Sequence, residues 1–177
     1  MKAIITALTI LFISFVAPAF AADKTTDTAD RQILGVLVAL NNNEIAAAHY
    51  ITKQKVDAQV KQFANLMIKD HTQNLHQTMS FEHKLGSPLE SDDSKTMIKD
   101  GNDELATLKT LKGKELETAY IDAMVKGHQA ALQTIDDNLL KNVTGEALKK
   151  QLEATRTHVE HHLEVAKEIQ GKLQATT

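Results

Sequence analysis

An all-α fold built on four long helices is what this sequence predicts, and three observations carry the prediction. Glycine and proline number only seven and two among 177 residues, so helix-breaking positions are rare. Between them run long stretches of Ala, Leu, Lys, Glu and Gln, all good helix formers. Apolar residues in those stretches recur at steps of three and four, the period of a helix with one buried face.

The chain opens on a segment to be set apart from the fold. Met1-Lys2 is a short basic start, residues 3–16 are almost wholly apolar, and Ala19-Phe20-Ala21 has the small-x-small pattern of a signal-peptidase site. Residues 1–21 therefore read as a signal peptide and 22–28 as a disordered linker, with a four-helix-bundle domain over 29–175. The apolar run is shorter than the ~20 residues a spanning helix needs, and the mature chain has no second run. The expected product is exported: periplasmic, envelope-associated or secreted.

The first helix is predicted over about 29–54 and the second over about 57–85, with Asp57 as its N-cap and Gly86 followed by Pro88 as its stop. The segment 87–113 carries Ser91-Asp92-Asp93 and Gly101-Asn102-Asp103 and reads as a long connection with room for one or two short helices. The third helix is predicted over about 114–142 and the fourth over about 145–174, with Thr144 as N-cap. Short turns within each pair and a long link between the pairs match a ferritin-like four-helix bundle, whose middle link crosses its length. An up-and-down bundle is the alternative.

Composition excludes several classes of function. Without cysteine there is no disulfide, thiolate metal site or lipoprotein acylation. A net charge of −3, with Lys and Arg scattered among acids, offers no footprint for nucleic acid. The absence of tryptophan argues against carbohydrate platforms and base-stacking surfaces. Glycine-rich phosphate loops, His-Glu-x-x-His and Gly-x-Ser-x-Gly are all missing, so an enzyme is expected less than a binding or structural protein, with a redox enzyme as the third reading. No protein partner is specified, and homo-oligomer formation is left open.

Ionisable residues intrude into the apolar seams. The fourth helix steps Leu148, Leu152, Thr155, Val159, His162, Ala166, Ile169, Leu173. The first steps Ile33, Leu37, Leu40, Glu44, Ala48, Ile51; in the second, Asp70 and His71 straddle the seam; in the third, His128 lies inside the apolar arc. At a rise of 1.5 Å per residue, with the crossover link, these levels fall within about two helical turns of one another. Glu44, Asp70, His71, His128 and His162 thus form a nitrogen and oxygen donor set suited to iron, zinc, manganese or copper. His158, four residues before His162, is a candidate auxiliary ligand, whereas His161 points about 100° away. A metal-free polar layer that fixes register is the competing reading of the same residues, and protonation of that layer in response to pH a third. Glu-x-x-His occurs nowhere, so the di-iron carboxylate motif of ferritin-like bundles is absent. His49, His76 and His83, with Asp92-Asp93 and Asp136-Asp137, are expected to face solvent.

Several blocks carry a resemblance: NNNEIAAAHYITKQ around Glu44, VKQFANLMIKDH ending at His71, the Leu111-Lys112-Gly113 turn with Tyr120, Met124 and His128, and EHHLEVAKE around His162. In order and spacing they resemble the exported bacterial family known as domain of unknown function 4142, whose members often carry an outer-membrane label. The resemblance implies a ferritin-like fold and an extracytoplasmic location, and no established activity. The family's recurring polar positions fall on Glu44, Asp70, His71, His128 and His162; Leu116 stands where an aromatic residue is usual. A transmembrane barrel is excluded, because barrels need alternating strands of ~10 residues and the sequence has none.

Overall fold

The computed structural model describes residues 24–175, with residues 24–27 described by backbone alone. The predicted signal peptide lies outside the described residues. The fold is all-α: α1 (Lys24–Thr52), α2 (Ala58–Met79), a single turn α3 (Glu82–Leu85), α4 (Asp92–Thr110), α5 (Gly113–Thr134), a π turn (Ile135–Leu139) continuing into α6 (Leu140–Asn142), and α7 (Glu146–Ala175). Among the described residues no helix is long and apolar enough to cross a membrane.

Four of these elements differ from the sequence expectation. Helix α1 begins at Lys24, so residues 24–28, predicted as linker, are helical. The second predicted helix is interrupted at Ser80, whose hydroxyl donates to the Gln77 carbonyl, and resumes only for the turn of α3. Gly86 ends that turn at φ +85°, a conformation open to glycine. The link holds one 19-residue helix, α4, in place of short pieces. A capping box starts it, with Ser94 N donating to Ser91 Oγ and Ser91 N to Ser94 Oγ. Gly101 reads as a turn residue in sequence, yet it sits inside α4, facing the side chain of Asn43 on α1. A Cβ there would lie 2.1 Å from Asn43 Cγ.

Side-chain bonds fix the topology. Asp57 caps α2, accepting from Gln59 N, while its own N–H donates 2.7 Å to Glu117 Oε1. The starts of α2 and α5 are therefore neighbours and these helices run parallel, which means that the α3–α4 link carries the chain back along the bundle. At the opposite end Asp30, 2% exposed, reaches from α1 to the start of α7. It accepts from Thr144 N, Thr144 Oγ1 and Gly145 N. Thr144 is thus a donor to Asp30 and not the predicted cap; the cap is a carboxylate from another helix, placed where the α7 macrodipole favours negative charge. Between these ends α7 runs antiparallel to α2, with Asp70 on His162, Asn74 on Thr155 and Gln151 on Gln77. It also runs antiparallel to α5, with Asp122 on Gln170 and Asp136 on Arg156.

The buried apolar residues form two clusters. One gathers Ile51, Phe63, Met67, Leu116, Ile121, Met124 and Ile169; the other gathers Leu34, Leu37, Ile135, Leu139, Leu148 and Leu152. On α1, α5 and α7 the positions separating the clusters are occupied by Asn41, His128 and His162, all buried, and α2 adds His71 and Asn74. The bundle has a polar waist between two greasy ends.

Replacing Asp30 with alanine removes three bonds to the start of α7. We expect Asp30→Ala to lower unfolding free energy by about 1–2 kcal/mol, as loss of a carboxylate capping a helix start does. Urea denaturation of the purified protein checks this.

Candidate metal centre

At the waist, His71 of α2, His128 of α5 and His162 of α7 face one another. Their ring centroids lie 5.3 to 6.1 Å apart, and one nitrogen from each falls within 4.8 Å of the other two. Exposure is 3%, 2% and 1% respectively. Each ring appears in the sequence one helical step from apolar neighbours, so helix packing alone drives it inward.

The outer nitrogen of every ring is committed as a donor. His128 Nδ1 lies 2.8 Å from the Met124 carbonyl, which can only accept. His162 Nε2 lies 3.1 Å from Asp70 Oδ2, also an acceptor. Asn41 spends its amide N–H on the Leu37 carbonyl at 2.7 Å, which turns its oxygen toward His71 Nδ1 at 2.9 Å. The other three nitrogens, His71 Nε2, His128 Nε2 and His162 Nδ1, are therefore bare lone pairs, buried and without a hydrogen-bond partner. Holding the far side of an imidazole by a carbonyl or carboxylate is how metal-binding histidines have tautomer and orientation set.

Electrostatics keep these rings neutral. Burial lowers His128 to about 4, against the Met124 bond that favours the cation. Burial also lowers His162 to about 4, with Asp70 opposing and His128 adding to the shift. His71 is pushed well below the usual histidine range by burial first, then by His162, His128 and His158. Neutral imidazole is the form that binds metal.

The other sequence candidates are placed differently. Asp70 joins the centre through His162, as an orienting carboxylate. Glu44 lies outside the group of converging nitrogens and lines a cavity between α1, α4 and α5 instead. His158 is exposed on α7, as are His49, His76, His83 and His161. Asn41 was not singled out by the seam pattern. Neither was Glu104 of α4, which shares the cavity with Glu44. Burial raises Glu44 to about 7, and burial followed by the charge of Glu44 raises Glu104 to about 7. Both carboxylates, after burial, also push up the Tyr120 phenol.

Residues 15–169 match the family described as a domain of unknown function, DUF4142. The chain belongs to the DUF4142 family. A search of curated proteins finds no match. In fold this DUF4142 chain is similar to a solved structure named "putative secreted protein DUF305" from Streptomyces coelicolor. The TM-score is 0.69 at 16% identity, covering 84% of this chain and 96% of that one. The matched residues of the DUF4142 chain include all three converging histidines, Asn41 and Asp70.

The pKa shifts give opposing pH dependences. The histidines' folded values lie below 6.5, so between about 4 and 6.5 the unfolded chain binds more protons and stability is lost as pH falls. The glutamates' folded values lie above 4.5, so between 4.5 and about 7 the folded chain binds more protons and stability is lost as pH rises. Removing one glutamate unmasks the histidines. Metal-free Glu104→Gln should lose stability more steeply than wild type on acidification from pH 6.5 to 4.5, and His128→Leu less steeply. Urea midpoints across that range measure both slopes.

Proposed function

We propose that this DUF4142 protein is an exported metal-binding bundle that holds one transition-metal ion on His71, His128 and His162. The observation that carries the reading is the convergence of three bare, buried imidazole nitrogens whose opposite nitrogens are all engaged. Buried acceptors without donors are destabilising by about 1–3 kcal/mol each, and depressed pKa values keep protons from relieving them. A cation relieves all three at once.

An all-nitrogen donor set suits zinc, copper and iron better than manganese, which favours carboxylates. Metal–nitrogen bonds near 2.0–2.1 Å place tetrahedral ligand nitrogens roughly 3.4 Å apart. Nitrogens now within 4.8 Å of one another would draw in by about an ångström, a side-chain adjustment. Three protein ligands leave a position for water or a further ligand. The predicted leader and the likeness to a protein named as secreted support an extracytoplasmic site for this binding. A metal-free role is favoured by a separate observation: Asn74, Thr155 and Gln151 form a satisfied hydrogen-bond chain between α2 and α7, as a register-fixing layer would.

Elemental analysis of protein produced without a histidine tag, after incubation with zinc, copper or iron and desalting, decides between them. One ion per chain is expected, lost in His71→Ala, His128→Ala or His162→Ala; no retained metal in wild type would refute the centre. Asp70→Asn should weaken affinity by about 10–100-fold in chelator competition, as removal of an orienting partner does.

A further inference from the structure

The cavity holding Glu44 and Glu104 has a chemistry of its own, independent of the histidine centre. It is a cleft, half open to solvent, of about 540 Å³ between α1, α4, α5 and the π turn, within the range of ~300–1,000 Å³ typical of small-molecule pockets. Five acids line it, Glu44, Asp93, Asp100, Glu104 and Asp137, with no lysine, arginine or histidine among the lining residues. The acids are graded by depth: the three aspartates are exposed, while the two glutamates are half-buried. Oε2 of Glu44 is fully buried and has no hydrogen-bond partner. Behind the glutamates, near enough for both charges to act on it, stands Tyr120, wholly buried with an unpartnered hydroxyl. Much of the remaining wall is apolar, including Val36, Leu40 and Met97.

Such a site calls for a cation with several N–H donors and an apolar body. A bare metal ion fits poorly, because among the described residues the histidine trio is the one group of three metal-ligating side chains within mutual reach, and the volume far exceeds an ion's. An alkylammonium supplies three donors and a methylene chain that the apolar wall shields from water. We propose that this cavity binds a small aliphatic amine, with its ammonium on Glu44 and Glu104 and its chain along Val36, Leu40 and Met97. The exposed aspartates at the rim attract the cation from solution.

Isothermal titration with hexylamine tests this, with hexanol and hexanoate as shape-matched neutral and anionic controls. Saturable binding of hexylamine alone is expected. Glu104→Gln should weaken it by roughly tenfold or more, the worth of a hydrogen bond to a charged group. Gly127→Leu provides a steric test that leaves the acids intact: Gly127 lines the cavity, and a Cβ there meets nothing within 4 Å. It should block hexylamine while far-UV circular dichroism melts and histidine-centre metal content stay those of wild type. Equal binding of hexanol, unchanged affinity in both variants, or displacement of hexylamine by micromolar manganese would each overturn the proposal.

Discussion

The bundle depends on one constraint at its waist: three imidazoles must be buried there, and each has a nitrogen that no protein donor reaches. Satisfying the outer nitrogens fixes their orientation. Asn41 holds His71, the Met124 carbonyl holds His128, and Asp70 holds His162. The Asn41 and Asp70 bonds join α1 to α2 and α2 to α7, so a rotation of any of these three helices breaks one of them, while the Met124 bond holds the His128 ring within α5. Hydrophobic packing alone is tolerant of small rotations; directional bonds are not.

Two carboxylates at the bundle ends set the level at which the waist forms. Glu117 ties the start of α5 to the N–H of Asp57, and Asp30 ties the start of α7 to α1. From Asp57, His71 lies about 21 Å along α2, and from Glu117, His128 lies about 16 Å along α5. The glutamate side chain, extended toward α2, accounts for the difference of about 5 Å, less than one turn. Counted from the other end, His162 stands about 25 Å from Gly145. The three rings arrive at one height because both ends are pinned.

Much of this was legible in the sequence. Every residue of the fourth-helix seam from Leu148 to Ile169 is buried, and the seams of α2 and α5 place His71 and His128 inward. What escaped was whatever depends on a second helix. A single-seam reading of α1 treats Leu40 and Glu44 as core, but α4 packs on a further face of α1, so these residues line a cavity shared with Glu104. Helix α4 buries only Ser94 and Leu108, which leaves little amphipathic pattern to detect. Asn41 matters because of the ring opposite it, and Asp30 because of the helix start it meets. Neither partner is near in sequence.

The slender footing of α4 also bears on access to the acidic cavity. A segment that fully buries only two residues has a smaller free energy of opening than the four helices around the waist. It forms one wall of the acidic cavity. Excursions of this single helix open the cavity while the pinned four-helix frame stays shut, so access to the cavity and the lifetime of the fold are set by separate barriers.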